Sequence, residues 1–330
     1  MTTKVRFVSP LASDLGAFVS FKRASGRQYD RTIFRLRSLD RFLVQHTKEN
    51  GRIDLAKVIP IWLARRGPTG TPATIRMEFS VARQFCLFLR RRDPDCFVPS
   101  SELAPSKSGR RFLPYIFSVD EIRRLLRGTH TLKIRKASPC PTFLSIAYHT
   151  LILVLFCTGL RLGEAVRLRL EDVDLRRCTF FIKDSKGRSR WVPFDAGLAR
   201  HLRAYLRARS SIAAPGAPFF VKATGDAYCF VSSVGIVLRQ LFRRLGLKPR
   251  RGRRGPRVHD VRHSFAVHRL TRWYHDGIDL QGHLPWLSAY MGHDDLLGTQ
   301  RYLTATPELL ELASRRFATR LRRRRDHETI

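Results

Sequence analysis

The sequence predicts a mainly α-helical protein with one small β-hairpin or sheet, divided into a helical N-terminal domain and a larger α+β domain. Three observations carry this prediction. Apolar residues recur at helical spacing from Gly26 to His46 and again after Thr71. A stretch at 93–114 carries proline, serine and glycine without sustained period, and two strand-like runs, "CTFFIKD" and "RSRWVPF", interrupt an otherwise helical second half. With 330 residues, 43% of them apolar, the chain can fill two ordinary cores at about 100 to 200 residues per domain. The expected boundaries are 1–108 for the first domain, 109–117 for the end of the linker and 118–330 for the second, with a C-terminal tail helix.

In the first domain, Tyr29, Ile33, Leu36 and Leu43 define one helix face, with Arg27, Arg31 and Arg35 opposite at i, i+4, i+8. The arginine face either tracks phosphates or is simply solvated, and the pattern alone leaves both open. Thr71 and Pro72 are a favourable N-cap and first-turn pair. The helix they open runs through Ile75, Phe79, Ala82, Cys86 and Leu89 to "RRRDP". Weaker helical segments near 11–22 and 55–65 complete an all-helical unit. In the second domain, Ser118 and Glu121 form a capping box, and "FLSIAYHTLILVLFCTGL" (143–160) is apolar nearly all round, as a central helix must be. The two strand runs join through Ser185-Lys186-Gly187, which puts a lysine at a hairpin turn. In the tail, Leu310, Ala313, Phe317 and Leu321 form an apolar stripe that needs a surface to cover it.

Composition narrows the function. The 62 Lys and Arg against 27 Asp and Glu give a formal charge of +35, which fits a polyanion, nucleic acid first, far better than an acidic small substrate. On such a chain the clusters "KPRRGRRGPR" (248–257), with Arg250, Arg251, Arg253 and Arg254, and "RLRRRR" (320–325) favour DNA-backbone contact over idle solvated tails. No apolar run reaches the roughly 18 residues needed to span a bilayer and "MTTKVRFVSPLASD" lacks a signal-type apolar core, so no membrane partner is expected. Cys86, Cys96, Cys140, Cys157, Cys178 and Cys229 form no C-x-x-C pair, and several sit in apolar runs. Buried reduced thiols, and a cytoplasmic, nucleoid-associated location, are the expectation.

The stretch "HDVRHSF" (259–265) carries the chemistry. On a helix His259, Arg262 and His263 share a face, a geometry open to zinc or to an anion. A zinc helix of the H-E-x-x-H type needs glutamate where Asp260 stands, and Arg262 would repel the metal, so no metal is expected. An arginine flanked by imidazole donors suits a phosphate. Arg161, just after a glycine that interrupts an apolar helix, is out of place unless it turns into a pocket. Taken alone, Arg161 as a helix-end residue, Lys186 as a surface lysine and Tyr302 as a core tyrosine would be ordinary.

In order, however, Arg161, Lys186, His259, Arg262, His293 and Tyr302 resemble the catalytic signature of the tyrosine recombinase (phage integrase) family. "TGLRLGEAVRLRLEDVDL" resembles its first arginine box, "SKGRSRWVPF" its lysine hairpin, "HDVRHSFAVHRL" its H-x-x-R box and "LSAYMGHDDLLGTQRYLTAT" its histidine-to-tyrosine box. The resemblance covers about 115–310, and the N-terminal region resembles the family's core-DNA-binding (SAM-like) domain in outline. It implies cleavage and rejoining of double-stranded DNA through a 3′-phosphotyrosyl link on Tyr302, without metal, ATP or other cofactor. It further implies Arg161 and Arg262 on the phosphate oxygens, and His259 and His293 as hydrogen-bond donors, with His259 able to accept the tyrosine proton. Lys186 would be the acid for the 5′ oxygen, with Lys183 its rival if the hairpin is one register out. His263 is expected to support the site from within the domain, and Glu164 either orients it or is a plain surface residue. The segment between Arg262 and His293 is longer than the family pattern, so a longer loop or an extra helical turn is expected there. Implied partners are DNA and a homotetramer, or a mixed tetramer with related recombinases, with the tail stripe docking in trans. The alternatives are a non-cutting DNA-binding homologue and a type IB topoisomerase-like strand transferase.

Overall fold

The computed structural model describes residues 6–26, 29–47, 52–67, 70–104, 113–132, 142–185, 188–214, 216–228, 230–252, 254–293, 295, 297–300, 302–303, 311 and 314. The chain divides into two units, Met1–Phe112 and Leu113–Ile330. The fold class is as predicted: mainly helical, with one small antiparallel sheet.

The first unit holds α1 (Ala12–Ala24), α2 (Asp30–Gln45), α3 (Leu55–Ala64) and α4 (Pro72–Leu89). Their apolar faces meet in one core built from Leu15, Phe18, Leu36, Ile59, Trp62 and Phe85. Thr71 caps α4 by accepting from the Thr74 amide at 3.3 Å, as its sequence predicts. The helix expected from Gly26 starts only at Asp30, because Gly26 (φ 76°) and Tyr29 (φ 54°) both hold left-handed backbone, which breaks helical continuity. Of the three-arginine face, Arg31 and Arg35 lie on α2, and Arg27 falls outside the described residues.

The second unit opens with α5 (Val119–Gly128), started by the predicted capping box: the Glu121 amide donates to Ser118 Oγ (3.1 Å) and the Ser118 amide to Glu121 (2.9 Å). Next comes α6 (Phe143–Thr158), buried on nearly every side, which packs against α8 (Ala196–Ser210) and α10 (Val258–His275). Between them lie α7 (Leu162–Arg167) and a three-stranded sheet, β1 (Val173–Asp174), β2 (Thr179–Ser185) and β3 (Arg188–Pro193). β2 pairs with β3 from Thr179↔Pro193 to Ser185↔Arg188, and β1 adds a short edge, Val173↔Phe180, that the alternation did not announce. The unit also holds α9 (Val231–Arg244), α11 (Leu280–Met291) and the short α12 (Leu297–Gln300). The long segment between Arg262 and His293 is therefore the rest of α10, a turn and α11. The tail positions Leu310, Ala313, Phe317 and Leu321 lie outside the described residues.

Gly159 sets the approach to the site. It ends α6 with φ 62°, and a Cβ placed on it would run into the Phe265 ring of α10. The close approach lets α6 and α10 share the site described next. Gly159→Ala combines left-handed strain with overpacking, and it is expected to lower stability by about 2–4 kcal/mol. Urea unfolding of the variant against the native chain measures this.

Candidate active site

Four elements place the signature residues together. Arg161 caps α7 in extended backbone immediately after the Gly159-Leu160 exit from α6. Its guanidinium donates from Nη1 to Glu164 (2.7 Å) and Ser185 Oγ (3.2 Å), and from Nη2 to the Gly292 carbonyl (2.8 Å). Arg262, on α10 and 2% exposed, donates from Nη1 to the Gly159 carbonyl (2.6 Å) and from Nη2 to the Met291 carbonyl (2.7 Å). These carbonyls stand at the C-terminal ends of α6 and α11, where peptide dipoles present negative charge to a buried cation. Burial first, and the charge of Arg161 second, push the Arg262 guanidinium down to about 10, still protonated at neutral pH. Two cations held close enough to oppose each other make a natural seat for an anion.

Glu164 is the counterweight. At 3% exposure it accepts from the Arg161 amide (2.8 Å), from Ser185 Oγ and from both Nη groups of Arg190 on β3 (3.2 and 3.0 Å). Arg190 also donates from Nε to the Tyr290 carbonyl (2.8 Å), so this one carboxylate ties α7, the sheet and, through Arg190, α11 to one point. Burial works to raise the Glu164 carboxyl, but hydrogen bonds and charge from Arg190, with Ser185 and the Arg161 amide, hold it down at about 2. Of the two alternatives for Glu164, the orienting one matches this position. Arg190 and Ser185 escaped the sequence reading, because on a strand a small polar residue and an arginine look like ordinary surface positions.

The tyrosine is enclosed. Tyr302 is 2% exposed and packs with Phe265, Leu270, Leu284 and Met291 in the cluster between α10 and α11. Its hydroxyl shares a 2.8 Å hydrogen bond with Nδ1 of His263. His293 lies beside it, ring centroids 6.1 Å apart, and its Nδ1 pairs with Thr299 Oγ1 at 2.7 Å. His259, one turn before His263, is exposed and meets the His263 ring edge-on at 4.8 Å. Both rings of this pair are held down to about 4. For His263 the causes are burial and then His259, and for His259 desolvation by the protein packed around its ring and then Arg262 and Arg257. Both imidazoles are therefore neutral at pH 7.

Arg161, His259, Arg262, His293 and Tyr302 thus gather at one site. Lys186 and Gly187 lie outside the described residues. Lys183 does not suit the role its rival position offered: it is bound at 2.7 Å to both Asp172 and Glu171, which raise its pKa and so oppose proton release. Away from the tyrosine, Arg250, Arg251 and Arg254 are exposed on the basic loop, while Arg253 lies outside the described residues. A buried lysine that sequence reading missed, Lys248, organises this loop by donating to the carbonyls of Arg254 (2.6 Å), Gly255 (3.3 Å) and Pro256 (3.3 Å). Arg35 is half-buried beside Lys22, Tyr29 and Met77, around a cavity of about 310 Å³ in the first unit, and the side chain of Arg31 is not described. Among the described residues no group of three or more His, Cys, Asp or Glu comes together as a metal site, and no helix is long and apolar enough to cross a membrane.

The chain is similar to known proteins in sequence and in fold. The family model described as "Phage integrase family" matches residues 117–308. The chain is 33% identical over 297 residues to the putative integrase/recombinase y4rB of Sinorhizobium fredii (strain NBRC 101917 / NGR234), covering 87% of this chain and 92% of that protein. Among solved structures it is similar to the XerH site-specific recombinase bound to a palindromic difH substrate in a post-cleavage complex. The TM-score is 0.64 at 17% identity, over 86% of this chain and 77% of that one. It is also similar to a lambda integrase tetramer bound to a Holliday junction (TM-score 0.57, 16% identity, 90% of this chain and 77% of that one). The chain belongs to the phage integrase family, and its activity is that of a site-specific tyrosine recombinase acting in DNA recombination and integration.

The Glu164 network has a pH signature. The carboxyl stays ionised in the fold down to about pH 2, whereas an unperturbed glutamate titrates near 4.5. Stability from this group is therefore complete above about pH 4.5 and is lost as pH falls toward 2, on the order of 3 kcal/mol in all. Glu164→Gln is expected to be less stable than the native chain at pH 7 and to lack that acid-side decline. Urea midpoints collected from pH 7 to pH 2 measure both effects.

Proposed function

We propose that the chain cleaves and rejoins double-stranded DNA through a 3′-phosphotyrosyl intermediate on Tyr302. The observation that carries this reading is the neighbourhood of two constrained guanidiniums, Arg161 and Arg262, with Tyr302 near enough to Arg262 to act on its charge. In this reading Arg161 and Arg262 grip the non-bridging oxygens of the scissile phosphate, using guanidinium N–H groups not engaged by the carbonyls, and stabilise the charge of the pentacoordinate transition state. His259 and His293 add hydrogen bonds to the same phosphoryl group. Lys186, one residue beyond Ser185, which touches Arg161, protonates the departing 5′ oxygen. Storing the bond energy in the tyrosyl ester removes any need for ATP. With this many positive and donor groups, the cleavage step requires no divalent cation.

DNA is held by backbone contacts from the basic loop with Arg250, Arg251, Arg253 and Arg254, and from the first unit through Arg27, Arg31 and Arg35. Its working form is a homotetramer, or a mixed tetramer with related recombinases, on DNA, by likeness to the lambda integrase tetramer on a Holliday junction. It works in the cytoplasm, on the nucleoid. The domain division is 1–108 and 118–330, with the catalytic residues all in the second part.

Tyr302→Phe removes only the attacking oxygen. It is expected to abolish covalent attachment to a nicked suicide substrate while leaving half-site binding nearly unchanged, as read by denaturing and native gels. Arg161→Ala and Arg262→Ala should each slow cleavage by roughly a hundredfold or more. The native protein should form the adduct at an unchanged rate in EDTA. A covalent adduct that persists in Tyr302→Phe, or a magnesium requirement in the native protein, moves the reading to another nucleophile or mechanism.

A further inference from the structure

We propose that His263, and not His259, is the group that takes the phenolic proton of Tyr302 during attack on the scissile phosphate and returns it when the strand is rejoined. The proposal rests on the tyrosyl-transfer reading above and assigns one further catalytic residue within it. Its basis is direct contact with the reacting atom: Nδ1 of His263 lies 2.8 Å from the Tyr302 hydroxyl, within the reach required of a general base. His259 meets the His263 ring edge-on, centroids 4.8 Å apart.

The surroundings of the second ring nitrogen favour one direction for that bond. Nε2 of His263 lies 4.0 Å from Oδ1 of Asp260, a carboxylate 1% exposed and held in place by Arg257, whose amide donates to Oδ2 (2.7 Å) and whose Nη2 donates to Oδ1 (2.8 Å). A carboxylate facing Nε2 favours the Nε2–H tautomer, so Nδ1 presents its lone pair to the phenol. Burial keeps the ring neutral beforehand, as an acceptor must be, with His259, Arg257 and Arg262 adding to the effect and Asp260 opposing it. When the proton arrives, Asp260 and the phosphate bound at Arg161 and Arg262 offset the new positive charge. The chain Asp260, His263, Tyr302 places an orienter behind the base and the base behind the nucleophile.

The step balances. The O–H bond of Tyr302 breaks and its proton passes to Nδ1 as the oxygen bonds to phosphorus. The bond from phosphorus to the 5′ oxygen breaks, and that oxygen leaves as a hydroxyl with a proton from the acid assigned to Lys186. Rejoining reverses each transfer: the 5′ hydroxyl attacks, its proton returns to the acid, and the tyrosine oxygen recovers its proton from His263. No oxidant, reductant or cofactor enters.

His263→Asn separates proton transfer from positioning, because the amide oxygen can still accept a hydrogen bond but cannot hold a proton. Single-turnover adduct formation on the suicide substrate is expected to fall by about a hundredfold or more, with half-site binding retained. Replacing Tyr302 by a trifluorinated tyrosine, whose more acidic phenol needs less help, should speed the Asn variant at least about tenfold more than it speeds the protein with His263. An Asn variant that cleaves within about threefold of the native rate overturns the assignment, and so does a slow variant that the fluorinated phenol does not rescue. His263→Gln carries the same test if the Asn variant does not fold. Nitrogen-15 NMR of the native protein supplies a test free of substitution: an unprotonated Nδ1 on His263 is expected, and an Nδ1–H tautomer overturns the proposal. If instead the native protein forms no adduct, or Tyr302→Phe still forms one, the tyrosyl-transfer reading has failed and not the choice of base.

Discussion

The second unit depends on one buried cation and the two carbonyls that hold it. Arg262 reaches from α10 to the last turn of α6, at Gly159, and to the last turn of α11, at Met291. A guanidinium at 2% exposure is costly to desolvate, and it is tolerated here because helix C-termini offer carbonyls that α-helical geometry leaves unpaired. The demand runs both ways: the helices need donors for those carbonyls, and the arginine needs acceptors. Satisfying both forces three helices to converge. It also explains why Gly159 must be glycine, since only a residue without Cβ ends α6 there without meeting Phe265.

Convergence creates an electrostatic problem, which Glu164 limits. Arg161, Arg190 and Arg262 lie near each other, and two of them share the buried carboxylate of Glu164. Coulomb repulsion among them is not cancelled: after burial, the charge of Arg161 is the next cause that lowers the Arg262 guanidinium, and Glu164 opposes it. An enzyme that binds an anionic transition state gains from leaving the site short of negative charge, because the missing charge arrives with the substrate. Were a second carboxylate present, the fold would be better balanced and the phosphate would compete with it. Asp260 meets the opposite requirement, since it is turned toward Arg257 and His263.

What the sequence disclosed follows the same division. Arg161, His259, Arg262, His293 and Tyr302 were legible from the boxes that carry the family resemblance, and the structure gathers them. The helices were legible wherever one face is apolar, as in α4, or all faces are, as in α6. The start of α2 was not, because periodicity continued through Tyr29 while its backbone turned left-handed. Arg190, Ser185 and Lys248 were also hidden. Each acts through a partner remote in sequence or through loop carbonyls, and side-chain pattern carries no trace of such partners. The neighbouring histidines show the limit most plainly. His259 fills the motif position and so drew the proton-accepting role, yet the bond to the Tyr302 hydroxyl comes from His263, one turn later on the same helix.

That one-turn difference has a physical rationale in where α10 leaves solvent. His259 stands at the exposed start of the helix, where a phosphate arriving from outside can be met by a ring donor. Four residues on, His263 has passed into the packed interior beside Phe265 and Ala266, and there it faces the enclosed Tyr302. A donor to DNA must reach the surface, whereas a proton acceptor for a buried phenol must be dry, neutral and fixed by a neighbour. One helix supplies both environments a single turn apart, so that in the proposed mechanism the pair of imidazoles divides between two tasks with opposite requirements.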